Sequence, residues 1–259
     1  IIAYLNPDLG YLQIASKING NWQYESLEHI TSPCQFELTS FDDPYILEFK
    51  KVDEGYILKE TYRKNGNWYS DIIEEFDYSR QILSLTLDSQ DQPHILARNS
   101  PYCIYYTRKA NDWHIDQFHT GSNHSNIILD HYDRPSFVDI SSDKVRFYSK
   151  RPSGWDYEVV GHVVSYSFYM ENSDWNCGLK LANDGTMWIS YPAFSSLLED
   201  SIKVISYDGF IPHTITEVFT ERQKEFNHEF AIRYDNPVLV YPENTLGKSF
   251  FSFLSGMWN

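Results

Sequence analysis

Runs of four to eight residues in which apolar positions alternate with polar ones, or stay apolar throughout, recur along the chain. Examples are Leu83-Ser84-Leu85-Thr86-Leu87, His94-Ile95-Leu96-Ala97, Cys103-Ile104-Tyr105-Tyr106 and Trp113-His114-Ile115-Asp116. A two-residue period in short runs predicts strands. The best helical candidate, Glu221 to Phe226, is too short to hold a helix and sits between two strand-like runs. The pattern predicts an all-β protein.

Two turn markers divide these runs into repeats. Asp-Pro-type turns occur at Asp43-Pro44, Asp91-Gln92-Pro93, Asp133-Arg134-Pro135, Asp184-Gly185-Thr186 and Asp235-Asn236-Pro237, with Asp spacings of 48, 42, 51 and 51. In step with them runs a Gly/Asn/Asp turn followed by an aromatic or Met-Trp: Asn19-Gly20-Asn21-Trp22, Asn65-Gly66-Asn67-Trp68, Asn111-Asp112-Trp113, Ser153-Gly154-Trp155, Asp208-Gly209-Phe210 and Ser255-Gly256-Met257-Trp258. Four short strands per period of about 45 residues make the size of one β-propeller blade. Labelling the strands of a unit A to D, the Asp-Pro turn joins A to B and the Gly-Trp turn joins C to D. The pattern predicts about six four-stranded antiparallel blades in one domain over 1–259, divided near 1–32, 33–79, 80–121, 122–165, 166–222 and 223–259. Ile1 to Leu5 aligns with strand B, so the first unit lacks strand A, and the sixth strand D only begins at Trp258. The ends are expected to be incomplete, as in a piece of a longer chain, since open edge strands invite further pairing. The start at Ile1-Ile2-Ala3, without Met or a basic leader, reads as a processed or excised end.

Composition sharpens this picture. The 259 residues carry 21 Lys and Arg against 36 Asp and Glu, a formal net charge of −15, which repels phosphate backbones and anionic lipid. Nucleic-acid and membrane partners are therefore not expected, and there is no run of 18 apolar residues. Seven Trp, 20 Tyr and 16 Phe against 3 Met favour strands and binding surfaces. Cys34, Cys103 and Cys177 show no framework or zinc spacing and are expected to be buried thiols. No cofactor or metal site is expected.

The segment Leu83 to Ile95, followed by Tyr105-Tyr106 and Asp112-Trp113, resembles a repeat of large exported bacterial proteins. Its consensus is approximately S-L-A-L-D-x-D-G-x-P-H-I-x-Y, then Tyr-Ala, then Gly-x-x-W. These repeats are similar to sialidase-type (BNR-like) propeller blades. The resemblance is close from Arg80 to Thr120 and looser elsewhere. It implies a β-propeller in an extracellular or cell-surface protein and leaves activity open, because propellers host hydrolases, lyases, lectins and docking platforms. The sialidase Asp box, S-x-D-x-G-x-x-W, does not occur, nor does a matched set of three arginines.

A propeller places its D-to-A and B-to-C loops on one face, where ligands usually bind, and the two marked turns on the other. The recurring Asp residues are then expected to be turn formers and the recurring Trp residues to pack between blades. Residues just before strand A reach the channel mouth: Arg80, Asn123, His124, Trp175, Asn176, Asn227 and His228. Ends of strand B add Lys50, Arg98, Asp139, Tyr191 and Tyr241. His114, His119 and His162 fall on or after strand D and are read as surface residues. The pairs Glu74-Glu75 and Asp42-Asp43, and the run Arg108-Lys109, read as solvated loop or turn positions.

Two functions follow. The first is a non-catalytic recognition module, either a lectin-like glycan binder stacking sugars on Trp and Tyr or a protein-docking platform. The alternative is a polysaccharide-active enzyme. In a lyase, His124 and His228 would act as base and partner, Arg80 or Arg98 would neutralise a uronate, and Tyr241 would be the acid. Glycoside hydrolysis needs a pair of carboxylates about 5 to 9.5 Å apart, and Asp139 is the one carboxylate in this mouth set.

Overall fold

The computed structural model describes the chain except residues 7, 9, 28–29, 31–33, 78–79, 100–101, 110–111, 121–122, 125, 142, 164–176, 195–199, 208–211, 221–228, 234–235, 244–247 and 254–259. Among the described residues every regular element is a strand, and the strands form successive antiparallel sheets. The first holds β1 (Ile2–Asn6), β2 (Tyr11–Ile18) and β3 (Asn21–Leu27). The second holds β4 (Cys34–Leu38), β5 (Pro44–Val52), β6 (Gly55–Lys64) and β7 (Asn67–Phe76), and the third β8 (Gln81–Leu87), β9 (Pro93–Asn99), β10 (Tyr102–Lys109) and β11 (Asp112–His119). In the fourth, two short pieces, β12 (Asn123–His124) and β13 (Ile128–Leu129), share one strand's place beside β14 (Pro135–Ser141), followed by β15 (Lys144–Arg151) and β16 (Gly154–His162). The fifth is β17 (Gly178–Leu181), β18 (Met187–Phe194), β19 (Asp200–Tyr207) and β20 (Pro212–Thr220). The sixth is β21 (Glu229–Arg233), β22 (Asn236–Glu243) and β23 (Lys248–Phe253). No helix among the described residues is long and apolar enough to cross a membrane.

The A-to-B turn is one device, used four times among the described residues. In each copy the first residue's N–H bonds to the fifth residue's carbonyl: Thr39 to Asp43, Asp88 to Gln92, Asp130 to Arg134 and Ala182 to Thr186. The fourth residue bonds back to the first and has a positive φ: Asp42 at 60°, Asp91 at 59°, Asp133 at 59° and Gly185 at 88°. Asp tolerates this left-handed conformation better than most L-residues, and Gly is free to adopt it. This geometry corrects the register read from sequence, because Asp42 and Gly185, not Asp43 and Asp184, are the equivalents of Asp91 and Asp133. The first residue supplies the cap: Asp88 Oδ1 accepts from the N–H groups of Gln90 and Gln92, both at 2.8 Å, and Asp130 Oδ1 from those of Tyr132 and Arg134. Burial pushes the Asp130 carboxyl upward, but the bonds from Arg134 and the Tyr132 backbone outweigh it and hold it below the usual carboxylate value.

Strand D is irregular in the same way in three sheets. The registers of β6 with β7, β15 with β16 and β19 with β20 skip one residue, leaving Ile73, Val160 and Ile215 as bulges. A bulge bends its strand and increases its local twist. Glu74-Glu75, placed by sequence in a loop, lie on β7 just after this bulge.

The described contacts group into two compact units, residues 1–99 with 104–116, and residues 100–103 with 117–259. In the first, Leu12, Ile14, Leu27 and Ile30 pack with Ile46, Phe36 and Trp68 between the first and second sheets. Tyr45, Leu47, Leu58, Ile95, Ile104 and Tyr106 fill the space between the second and third, with Trp113 against them. In the second unit, Val138, Ile140 and Phe147 meet Leu179, Ile189, Tyr191 and Tyr207. Trp155 stacks on Phe118, centroids 5.0 Å apart, and Phe137 stacks on Tyr148 at 4.6 Å. Trp68, Trp113 and Trp155 thus pack between sheets, whereas Trp22 is 46% exposed. Cys103 and Cys177 are buried free thiols.

The repeat's Pro-His-Ile segment also acquires a structural role. His94 is buried, its Nδ1 2.6 Å from the Tyr105 hydroxyl and its Nε2 3.6 Å from Asp88 Oδ2, so the ring ties strand B to strand C and packs beside the turn cap.

Candidate functional site

In the second sheet Tyr56 is opposite Phe76, so the β5–β6 hairpin and the end of β7 lie on the same edge, the expected ligand face. Gly55 makes this hairpin close: its φ is +148°, and a Cβ there would sit 2.3 Å from the Phe76 carbonyl oxygen. A cavity of about 740 Å³ opens at this edge. Five carboxylates line it, from Asp53, Glu54, Glu74, Glu75 and Asp77, together with Tyr56, Phe76 and the single guanidinium of Arg80.

One wall is fixed by charge. Arg80 Nη1 donates to the hydroxyl of fully buried Tyr106 and, at 3.2 Å, to Glu74 Oε2, while the Tyr106 hydroxyl donates to the same Glu74 oxygen at 2.7 Å. The Arg80 guanidinium carbon lies 3.6 Å from the Phe76 ring centroid, a cation–π contact. Burial raises the Tyr106 pKa, the hydrogen bond and charge of Glu74 raise it further, and Arg80 offsets only part. The phenol therefore stays protonated and donates. Phe49 stacks on Tyr56 at 5.4 Å and supports the ring from beneath. Carboxylates beside aromatic rings can accept hydrogen bonds from sugar hydroxyls, and pairs of them can act as general acid and base. No group of three or more His, Cys, Asp or Glu side chains among the described residues is arranged to hold a metal.

Of the residues picked from sequence, Arg80 belongs to this site. Arg98 lies half-buried in β9 opposite Gln81. Asp139 and Tyr191 are in the interior rather than at a rim: Asp139 is fully buried within β14, opposite Arg146, and Tyr191 is 3% exposed in the core of the second unit. The sequence pattern puts both at the ends of strand B, but they fall mid-strand, among successive residues that are all buried. Asn123 and His124 form β12, with His124 in register with Asp139; their side chains lie outside the described residues. So does the side chain of Tyr241, which sits on β22 opposite Phe250. Trp175, Asn176 and His228 are themselves outside the described residues. Sequence reasoning missed Glu74, Tyr56 and Tyr106. The signal was available for the first two, since Asp53-Glu54-Gly55 marks a tight hairpin and Glu74-Glu75 ends the strand that must lie beside it.

Arg108 and Glu60 correct another expectation. Arg108 is not solvated at a turn; it ion-pairs with the fully buried Glu60, which also accepts the Tyr45 hydroxyl.

No family model and no curated protein matches the chain. Solved structures do. A protein from Lactobacillus plantarum is 12% identical over 94% of this chain and 76% of its own, with a TM-score of 0.56. A protein of unknown function from Dyadobacter fermentans is 11% identical over 80% and 74%, with a TM-score of 0.51. A GH43 β-xylosidase/α-arabinofuranosidase from a compost microbial metagenome, solved with xylotriose, is similar at 9% identity over 83% and 86%, with a TM-score of 0.40. For the first two, at these identities, the likeness is one of fold.

Proposed function

We propose that the chain engages polysaccharide through the loop-face cavity of its second sheet, in an extracellular or cell-surface protein. The observation that carries this reading is the set of carboxylates gathered around Tyr56, Phe76 and a fixed Arg80. Of the two functions weighed from sequence, this cavity favours the polysaccharide-active enzyme, specifically a glycoside hydrolase. The objection to hydrolysis was a lone carboxylate at the mouth, and here five share one cavity of a size that takes oligosaccharide-scale ligands. Glu74, held by Arg80 and Tyr106, suits a fixed, positioning role; Glu75, exposed on the same strand, is the more accessible of the two to a ligand.

The test is incubation of the purified chain with xylan, arabinan, mannan and pectin, following reducing ends. Release by the native chain and at least a hundredfold loss in Glu75→Gln supports hydrolysis. Retention of a polysaccharide without any release returns the reading to a lectin-like module.

A further inference from the structure

The opposite edge of the second sheet, read from sequence as purely structural, also carries a cavity, of about 480 Å³. Tyr45 and Tyr62 line it, and they belong to a ladder of rings across three strands in which Tyr62 lies between Tyr45, 5.8 Å away and 11° from parallel, and Tyr69, 5.6 Å away and 20° from parallel. Beside it stands Phe41, 83% exposed. Phe41 is the third residue of the five-residue turn described above, and that turn is closed by bonds at both ends. A further pair clamps it to the next turn: the Ser40 N–H donates to Asp91 Oδ1 at 2.7 Å and the Ser40 hydroxyl to Asp91 Oδ2 at 2.8 Å. An aromatic side chain is thus held outward by a rigid backbone next to a concave surface. Single exposed aromatics are ordinary, but this one shares its cavity with Tyr62, Asn65, Gln90, Gln92 and Arg108.

We propose that this groove is a second carbohydrate-binding site, for a neutral pyranose unit. The C–H face of the sugar stacks on Phe41 and rests against the edge of Tyr62, and its hydroxyls meet the amides of Gln90 and Asn65 and the edge of Arg108. The charges favour a neutral ligand, because the three cations of the lining, Arg63, Lys64 and Arg108, are matched in number by Asp43, Asp91 and the buried Glu60, with Arg63 Nε donating to Asp43 at 2.9 Å and Arg108 pairing with Glu60. The size is in the usual range for small-ligand sites, and aromatic rings with a few fixed polar groups are the means by which a sugar's mixed surface is matched. This site does not rest on the loop-face cavity and lies on the other edge of the same sheet.

The experiment is affinity electrophoresis through gels containing xylan, mannan or dextran, with the native chain, Phe41→Ala, Gln90→Ala and the loop-face variant Glu75→Ala. Circular dichroism checks that each is folded. The expected result is retention of the native chain by at least one neutral polysaccharide, weakened tenfold or more by Phe41→Ala and severalfold by Gln90→Ala, with a residual shift that survives Glu75→Ala. Retention unchanged by Phe41→Ala but lost in Glu75→Ala overturns this site and leaves the loop-face reading standing. No retention of the native chain by any of the gels overturns this site as well.

Discussion

Asp130 shows how much of this protein's chemistry is spent on its turns. Its carboxylate caps two backbone N–H groups and accepts from the Arg134 side chain at 2.6 Å. Because its folded pKa is depressed, it contributes stability that is fully present above the unfolded carboxylate value near 3.8 and is lost as pH falls through the folded value. Asp130→Ala should therefore be about 1 to 2 kcal/mol less stable than the native chain at pH 7, with the difference shrinking below about pH 4, as denaturant unfolding at both pH values would show. An equal loss at pH 7 and pH 3 would contradict the capping role. Glu60 is a harsher case. Replacing Arg108 by Ala leaves a fully buried carboxylate without its guanidinium, and a loss of roughly 3 kcal/mol in chemical unfolding is expected. Sequence could not reveal this second partnership, because Arg108 and Glu60 are 48 positions apart and meet only when two sheets pack.

At the scale of elements, the alternation of apolar and polar positions was a reliable guide to strands, and the two turn markers to where strands meet. Leu83 to Leu87 and His94 to Ala97 fall within β8 and β9 as expected. The exact turn register was not legible, since Asp42 and Asp43 are adjacent and only a backbone angle tells which one is left-handed. Bulges were hidden as well, because one inserted residue such as Val160 leaves the surrounding pattern intact. Two glycines test the packing of these elements. A Cβ on Gly161 would lie 2.5 Å from the Tyr191 hydroxyl and 2.8 Å from its ring, so Gly161→Ala should cost about 1 to 3 kcal/mol. Gly55→Ala meets backbone instead of side chain, the Phe76 carbonyl. It should destabilise at least as much and also spoil the loop-face cavity. Thermal melts within a degree of the native chain would refute either contact.

For the molecule as a whole, composition pointed away from nucleic acid and toward aromatic-rich strands, and the fold is built accordingly from sheets with ring-filled spaces between them. The site was less legible than the fold. Choosing residues by their place before strand A reached Arg80, which lines the loop-face cavity, whereas choosing the ends of strand B could not show that Asp139 and Tyr191 are buried. It also passed over the end of β7, whose acidic pair looked like ordinary solvated surface. What makes Glu74 and Glu75 candidates is the hairpin at Gly55, Arg80 and Tyr106, brought together from three separate stretches of chain.

The most direct test of the central claim is a crystal structure of the chain soaked with oligosaccharides of the polysaccharides used in the turnover assay. The account predicts a sugar in the loop-face cavity of the second sheet, stacked against Tyr56 or Phe76 with hydroxyls on Glu75 and its neighbouring carboxylates. A saturated crystal in which that cavity holds no sugar would contradict it.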